Sequence, residues 1–478
     1  MPQSSRLKSG PDVGGCAKFS WTRLRPETIF LSLVATFGLA VLAVNPPFQA
    51  PDEHHHFFRA FQLSEGQVLG QRQGNSAGGP LPVAVVAIAA DTGEMAFHYE
   101  RKMTRAIFSK KLSPAFVDWS TVPRMWGHFP GMVVRPPTGY LPQAVAIGVG
   151  KLARVGPLGL LYLARLCAFV VCAWLGWVAL RRLPVYRWSC MLLLLVPMSL
   201  YLMGSVAEDG LLIGSAFLLA AMVGQLTIGA RQRPTWGDRM LLLALALLLA
   251  TVKIVYLPLA CLALVLTLAR LRGRDRVIFG LGFLMVCVLP AWAWWARAVP
   301  DLYVPTRSDI PLDPMAQLTH VLGDPLGFLS LVVQSIRVNA SDIYRWFVGT
   351  LGWGDTPMPE WFYHVFGWSF LACVAVESTG AGALRWRERA IVLGAVVAAV
   401  VLIFGAQYAN WNAPGSRGTI DGVQGRYFLP VAPFAVLSVP APGRLRVPDF
   451  CAPLLGSLLG TISAIVCLAA VLMRYYLP

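Results

Sequence analysis

Runs of about 18 or more apolar residues recur along almost the whole of this chain, each long enough to cross about 30 Å of hydrocarbon as a helix. Lipid offers no hydrogen-bond partners, so the backbone in such runs must satisfy its own polar groups by coiling. Hydrophobic residues make up 56% of the 478 and charged residues only 13%, about half the charged share of an ordinary soluble protein. The expected class is therefore an all-α polytopic membrane protein. The first run extends from about Thr28 to Ala43, and others follow near 157–180, 186–203, 207–229, 238–255, 256–270 and 277–298. Four more lie near 361–379, 390–408, 427–441 and 452–473, giving about eleven spans. Two long polar segments interrupt the series, at about 46–156 and 299–360.

The net charge of +16 would suggest nucleic acid in a soluble protein. Here the Lys and Arg residues cluster in short segments between apolar runs, which is the positive-inside pattern and argues against a nucleic-acid partner. A basic tail, residues 1–27 with Arg6, Lys8, Lys18, Arg23 and Arg25, precedes an apolar run too long for a secretory signal, so the first helix is expected uncleaved with its N-terminus in the cytoplasm. Arg181–Arg182, Arg231–Arg233, Arg270–Arg276, Arg385–Arg389 and Arg444–Arg446 then share the cytoplasmic side of the plasma membrane, and both long loops fall outside. This holds only if Tyr140–Val155, with its proline, Lys151 and Arg154, lies on the outer surface instead of spanning. Residues 28–478 read as one membrane domain with an outer cap that is helical or irregular, since few alternating stretches suggest strands. Cys167, Cys172, Cys190, Cys261, Cys287, Cys373 and Cys467 lie within apolar runs, Cys451 begins one and Cys16 sits in the tail; they read as packing residues, with no metal-site spacing.

Directly after the first run stands Asn45-Pro46-Pro47-Phe48-Gln49-Ala50-Pro51-Asp52-Glu53-His54-His55-His56-Phe57-Phe58-Arg59-Ala60. Ionisable groups at a membrane edge are costly to bury and mark a functional site by default. The bland alternative is a short helix from about Asp52 to Ser64 with Asp52 as its cap and the histidines as interfacial polar groups. Consecutive histidines on a helix point in different directions, and no HExxH is present, so a zinc hydrolase is not indicated. Asp52 and Glu53 would suit magnesium or manganese if a metal is needed, a question the sequence leaves open.

The string Pro51-Asp52-Glu53-x-x-His56-Phe57-x-Arg59-Ala60, followed by Leu63-Ser64-x-Gly66, resembles the signature of bacterial membrane proteins grouped as domain-of-unknown-function family 2142. Further landmarks follow in that family's order: Pro137-x-x-Tyr140-Leu141-Pro142-Gln143, Arg165, Pro197, Glu208-Asp209, Lys253-x-x-Tyr256-x-Pro258, Leu351-Gly352-Trp353-Gly354-Asp355 and Gln424-Gly425-Arg426-Tyr427-Phe428-x-Pro430. Such proteins in turn resemble the GT-C superfamily of integral-membrane glycosyltransferases, which carry an acidic motif in the first outer loop and helices lying along the membrane. That likeness implies a sugar moved from a polyprenyl-phosphate donor to a glycan, lipid or protein acceptor of the cell envelope.

In this reading Asp52 is the general base that takes a proton from the acceptor hydroxyl, and Glu53 orients the acceptor, assists the base or binds a metal. The leaving phosphate needs fixed donors, for which Arg426, Lys253 and Arg135 are candidates. His56, Arg59, Gln424, Tyr427, Glu208 and Asp209 are candidates for acceptor binding or support. Leu351-Gly352-Trp353-Gly354-Asp355 offers an aromatic face with an acid nearby, a common way to hold a sugar ring. A tryptophan at a membrane interface needs no such role, and the interfacial reading is preferred. Lys253 also reads as a snorkelling residue, and Glu208 and Asp209 as helix caps. Two other classes stay in view, a transporter or flippase of lipid-linked glycans and a non-catalytic scaffold of envelope assembly. The first predicts broken helices and polar groups near mid-membrane.

Overall fold

A computed structural model describes residues 24–89, 95–228, 233–305, 309–380, 382, 384–440 and 447–477. Most of the basic tail, Cys16, Arg231 and the 444–446 segment lie outside the described residues.

Among the described residues, six helices are long and apolar enough to cross a membrane: Pro26–Val44, Pro157–Arg182, Asp209–Thr227, Gly273–Leu302, Trp386–Trp411 and Cys451–Tyr475. All six match expected spans, but the expectation of about eleven is corrected to six, or seven if one bent pair counts as a span. Proline and local backbone explain most of the difference. The 186–203 run is cut into Arg187–Leu194 and Pro197–Met203, because Pro197 has no amide hydrogen to continue the ladder. The 238–255 and 256–270 runs are separate helices as expected, Trp236–Val252 and Leu257–Leu268, parted at Lys253 (φ −140°, ψ 110°), but at 17 and 12 residues neither reaches the length of the six. The 427–441 run divides into a 3-10 turn, Gly425–Phe428, and the short helix Ala432–Leu437. Glu360–Gly380 has the length but is not among the apolar six.

Within 299–360 stand Pro314–Gly323 and Pro325–Gly349, bent by 106° at Asp324, whose carboxylate accepts from the Gly327 amide at 2.8 Å. Leu141–Leu152 has only 12 residues, too short to span. Beyond it Arg154 takes a left-handed turn (φ 56°), and the chain folds back along Pro157–Arg182.

The 46–156 segment holds the helix Glu53–Ser64 and a three-stranded antiparallel sheet of Gln71–Gln73, Ser76–Pro82 and Arg124–His128 in that order. This corrects the expectation of a helical or irregular cap. The sheet escapes a propensity reading because its contacts rest on glycine: a Cβ on Gly78 would stand 1.9 Å from the Gly127 carbonyl oxygen. Phe57, Phe58, Phe61, Leu81, Phe129 and Tyr140 form the cap's own core.

Ion pairs gather the basic connections. Arg187 meets Glu27 at 2.6 Å, Arg182 meets Asp238 at 3.0 Å, Arg239 meets Asp275 at 2.8 Å and Arg270 meets Glu388 at 2.5 Å. These pairs join the chain's start to the 182–187, 238, 270–275 and 388 connections, so the segments that the charge rule assigns together do meet. The described cysteines are all free, and most are buried.

With the native cysteines replaced, Asn75→Cys in the exposed β-turn is expected to react with a membrane-impermeant maleimide in intact cells, and the exposed Arg274→Cys only after permeabilisation. The opposite pattern would invert the topology.

Candidate functional site

The helix Pro26–Val44 stops at Asn45 because Pro46 and Pro47 cannot continue it. The eight residues that follow include two non-glycine residues in the left-handed region, Phe48 (φ 64°) and Asp52 (φ 56°). Each such conformation costs about 1–3 kcal/mol and persists only where its surroundings enforce it.

Glu53 and Arg165 supply that enforcement. Both side chains are wholly buried. The Arg165 Nε donates to Glu53 Oε1 at 2.8 Å and Nη2 to Oε2 at 2.5 Å, while Nη1 and Nη2 also donate to the Asn45 and Pro46 carbonyls at 2.7 and 3.0 Å. The Phe48 amide donates to Glu53 Oε2 at 3.0 Å and the Val206 amide to Oε1 at 3.1 Å. Removing two charges from water costs several kcal/mol per ion, and close geometry with satisfied lone pairs is what offsets it. Each Glu53 oxygen here accepts two hydrogen bonds, which leaves no lone pair for an acceptor hydroxyl or a metal. The candidate Glu53 is thus tied into the loop beside Asp52 by these four bonds.

Asp52 occupies the N-cap position of Glu53–Ser64, yet its side chain makes no capping bond. The carboxylate is partly exposed and has no hydrogen bond or ion pair among the described residues. The capping role allowed by the sequence is thus not the one its side chain takes.

Beside this loop the fold assembles candidates from five distant segments. Glu208 is buried, with Arg135 Nη1 at 2.9 Å, His56 Nδ1 at 3.8 Å and Lys253 Nζ at 3.9 Å. Lys253 also pairs closely with Asp209, and Arg426 Nη1 lies 3.7 Å from Asp209 Oδ2. His56 Nδ1 is hydrogen-bonded to the Tyr140 hydroxyl at 2.8 Å. Burial lowers the His56 pKa from its ordinary value, against the opposing pull of Glu208, Asp209 and Asp52, so the imidazole is neutral near pH 7. Three cations against two carboxylates then leave one positive charge in the cluster. The Asp52 carboxylate is near enough to act electrostatically on both His56 and Arg426.

Arg426 itself is buried, and its Nε and Nη1 have no hydrogen-bond partner. The preceding glycine seats it: a Cβ on Gly425 would fall 2.0 Å from the Ile343 carbonyl oxygen and 2.2 Å from the Phe347 amide nitrogen. Gln424 Oε1 is likewise buried without a hydrogen bond. The Tyr427 ring lies under both Lys253 and Arg426, at 5.4 and 5.5 Å, and its carbonyl accepts from the Tyr256 hydroxyl at 2.9 Å. Arg59 donates to Gln62 Oε1 at 2.6 Å and to the Val68 and Arg135 carbonyls at 2.9 Å. It braces the Arg135 backbone and lies near enough to Glu208 to feel its charge.

The pairing of Arg165 with Glu53 was not legible, although a lone arginine inside an apolar run is itself a signal. A second missed pair is Asp355 with Arg474, at 2.7 Å. No group of three or more metal-ligating side chains occurs among the described residues. The sequence profile of a family described as predicted membrane protein (DUF2142) matches residues 35–435. No curated protein and no solved structure matches the chain.

Removing one partner of the buried pair strands the other charge. Arg165→Met and Glu53→Gln are each expected to cost about 3–5 kcal/mol of stability, read as a fall in unfolding temperature of the detergent-solubilised protein. Stabilities within about 1 kcal/mol of wild type would mean the pair does not hold the loop.

Proposed function

We propose, for a chain that belongs to the DUF2142 family of predicted membrane proteins, that it moves a sugar from a polyprenyl-phosphate donor to a cell-envelope acceptor on the outer face of the plasma membrane. One observation carries this reading: Asp52, a partly exposed carboxylate without a hydrogen bond or ion pair among the described residues, stands beside a buried cluster with surplus positive charge, in which Arg426 Nε and Nη1 make no hydrogen bond among those residues. The GT-C resemblance adds the layout of an acidic motif directly after the first helix.

In this mechanism the acceptor hydroxyl oxygen attacks the anomeric carbon and inverts it. Its proton passes to Asp52, and the bond from the anomeric carbon to the phosphate oxygen breaks with its electron pair on the phosphate. Arg426 receives the developing charge through Nε and Nη1, while Lys253 and Arg135, held by Asp209 and Glu208, add fixed positive potential. Neutral His56, tied to Tyr140, packs beside Glu208 without adding to the charge. Glu53 and Arg165 hold Asp52 in place.

A transporter or flippase of lipid-linked glycans is the second reading. The helices interrupted at Pro197, Lys253 and 429–431 favour it, since discontinuous helices are the usual way to line a substrate path. The position of Asp209 at the first turn of its span, and of Lys253 just past the end of Trp236–Val252, favours chemistry at a membrane edge instead.

Purified protein in lipid nanodiscs should release polyprenyl phosphate from radiolabelled polyprenyl-phosphate sugars. Asp52→Asn should lower turnover about 10²–10⁴-fold while donor still binds. Arg426→Lys, which loses the two-pronged contact, should weaken donor binding and turnover together. Donor crossing proteoliposome membranes intact, with Asp52→Asn as active as wild type, would favour the transporter.

A further inference from the structure

The hairpin of Thr350–Leu351 and Thr356–Pro357 turns through Gly352 (φ 63°) and Gly354 (φ 90°) and projects Trp353 towards the Asp52 loop. The Trp353 indole N–H donates to the Phe48 carbonyl at 3.2 Å. Its ring lies 5.9 Å from His54 and 6.3 Å from Phe97. Phe97 is 71% exposed and is held in the left-handed region at φ 62°. Its amide donates to Asp355 Oδ2 at 3.1 Å, and that carboxylate is clamped by the fully buried Arg474 at 2.7 Å. A strained backbone, a buried arginine and an acid thus hold an exposed phenyl ring beside an indole. Packing of the core requires none of this, and strain of this kind gathers at functional sites.

The neighbours say what such a face would meet. Phe97 is followed by His98, Glu100, Arg101 and Lys102, and the His98 and Glu100 side chains are 54% and 71% exposed. Charged groups at that density disfavour immersion in hydrocarbon. On the other flank stand His54, two residues past the unpaired Asp52, and Asp355. Burial holds the His54 pKa below its ordinary value, so its ring is a neutral donor and acceptor near pH 7. An aromatic surface rimmed by a neutral imidazole and carboxylates matches a pyranose, which has C–H bonds on one face and hydroxyls around its edge. It matches an acyl chain poorly.

The geometry points to Trp353 and Phe97, with His54 at the rim, as a sugar-stacking platform that holds a glycan acceptor beside Asp52. This rests on the glycosyltransferase reading for its role and narrows the acceptor class to carbohydrate. Trp353 and Phe97 are positioning residues in this assignment, and the arriving hydroxyl is the group handed to Asp52.

The test uses the full chain in nanodiscs and a panel of soluble di- and trisaccharides, followed by saturation-transfer NMR. Wild type is expected to saturate ring C–H protons on one face of at least one sugar. Phe97→Ala and Trp353→Ala should weaken that binding roughly tenfold or more, with Trp353→Phe retaining most of it. In turnover assays the same Ala variants should raise the acceptor half-saturation more than they lower the limiting rate. Absence of binding to every sugar, or Ala variants that bind as wild type does, overturns the platform. A measurable drop in brominated-lipid quenching in Trp353→Phe, against the constant contribution of the other 15 tryptophans, would place the indole in the bilayer and overturn it also. Wild-type donor cleavage is scored separately. Cleavage without glycan binding removes the platform alone, whereas Trp353-dependent glycan binding without cleavage keeps the platform and removes the enzyme reading.

Discussion

A carboxylate and a guanidinium withdrawn completely from solvent hold together everything that makes this membrane protein more than a bundle of apolar helices. Arg165 comes from the third turn of a long apolar helix and Glu53 from the first turn of the helix that opens the cap, and between them they fix the carbonyls of Asn45 and Pro46 and the amides of Phe48 and Val206. Through Phe48 the pair sets the conformation of the loop that ends in Asp52. Through Val206 it sets the turn that leads into Glu208 and Asp209. Hydrophobic burial alone cannot do this, because it has no direction. A paired charge in a dry interior does, since any other arrangement leaves an unsatisfied ion.

Two kinds of order then meet at one place. The Asp52 loop is strained and leaves its carboxylate unpaired, while the neighbouring cluster is dense with ion pairs and still carries a surplus charge. Neither arrangement minimises the energy of the protein by itself. On the reading proposed above, the open acid and the guanidinium beside it are the two groups left for acceptor and donor.

The membrane class was legible in the sequence, because hydrophobic composition carries that information directly. Arg135, Lys253, Arg426, Glu208 and Asp209 were named there as separate candidates, and only the structure brings them together. Continuity was less visible. The 186–203 stretch is apolar enough to read as a span, and only Pro197 shows that it is not a single helix, while the 238–255 and 256–270 runs form two helices that fall short of spanning length. Polarity also failed to separate Asp52 from Glu53. They are adjacent and both acidic, but a left-handed φ at Asp52 sends one to solvent's edge and the other into the interior, and no one-dimensional pattern distinguishes them. The small sheet was hidden because glycine, not β-branched residues, allows its strands to approach.

The clamp between Arg474 and Asp355 has a bearing on how the protein comes into being. Arg474 also donates to the Met95 carbonyl, which precedes it by 379 residues. At 5–20 residues per second a ribosome needs roughly 20 to 75 s to traverse that interval. Throughout that time the earlier helices can be inserted while the segment around Phe97 lacks the residue that fastens it; the turn at Trp353, 121 residues ahead of Arg474, waits roughly 6 to 24 s. Membrane insertion and completion of the surface around Asp52 are therefore separate events in biogenesis, and the second waits for the last apolar helix to be synthesised.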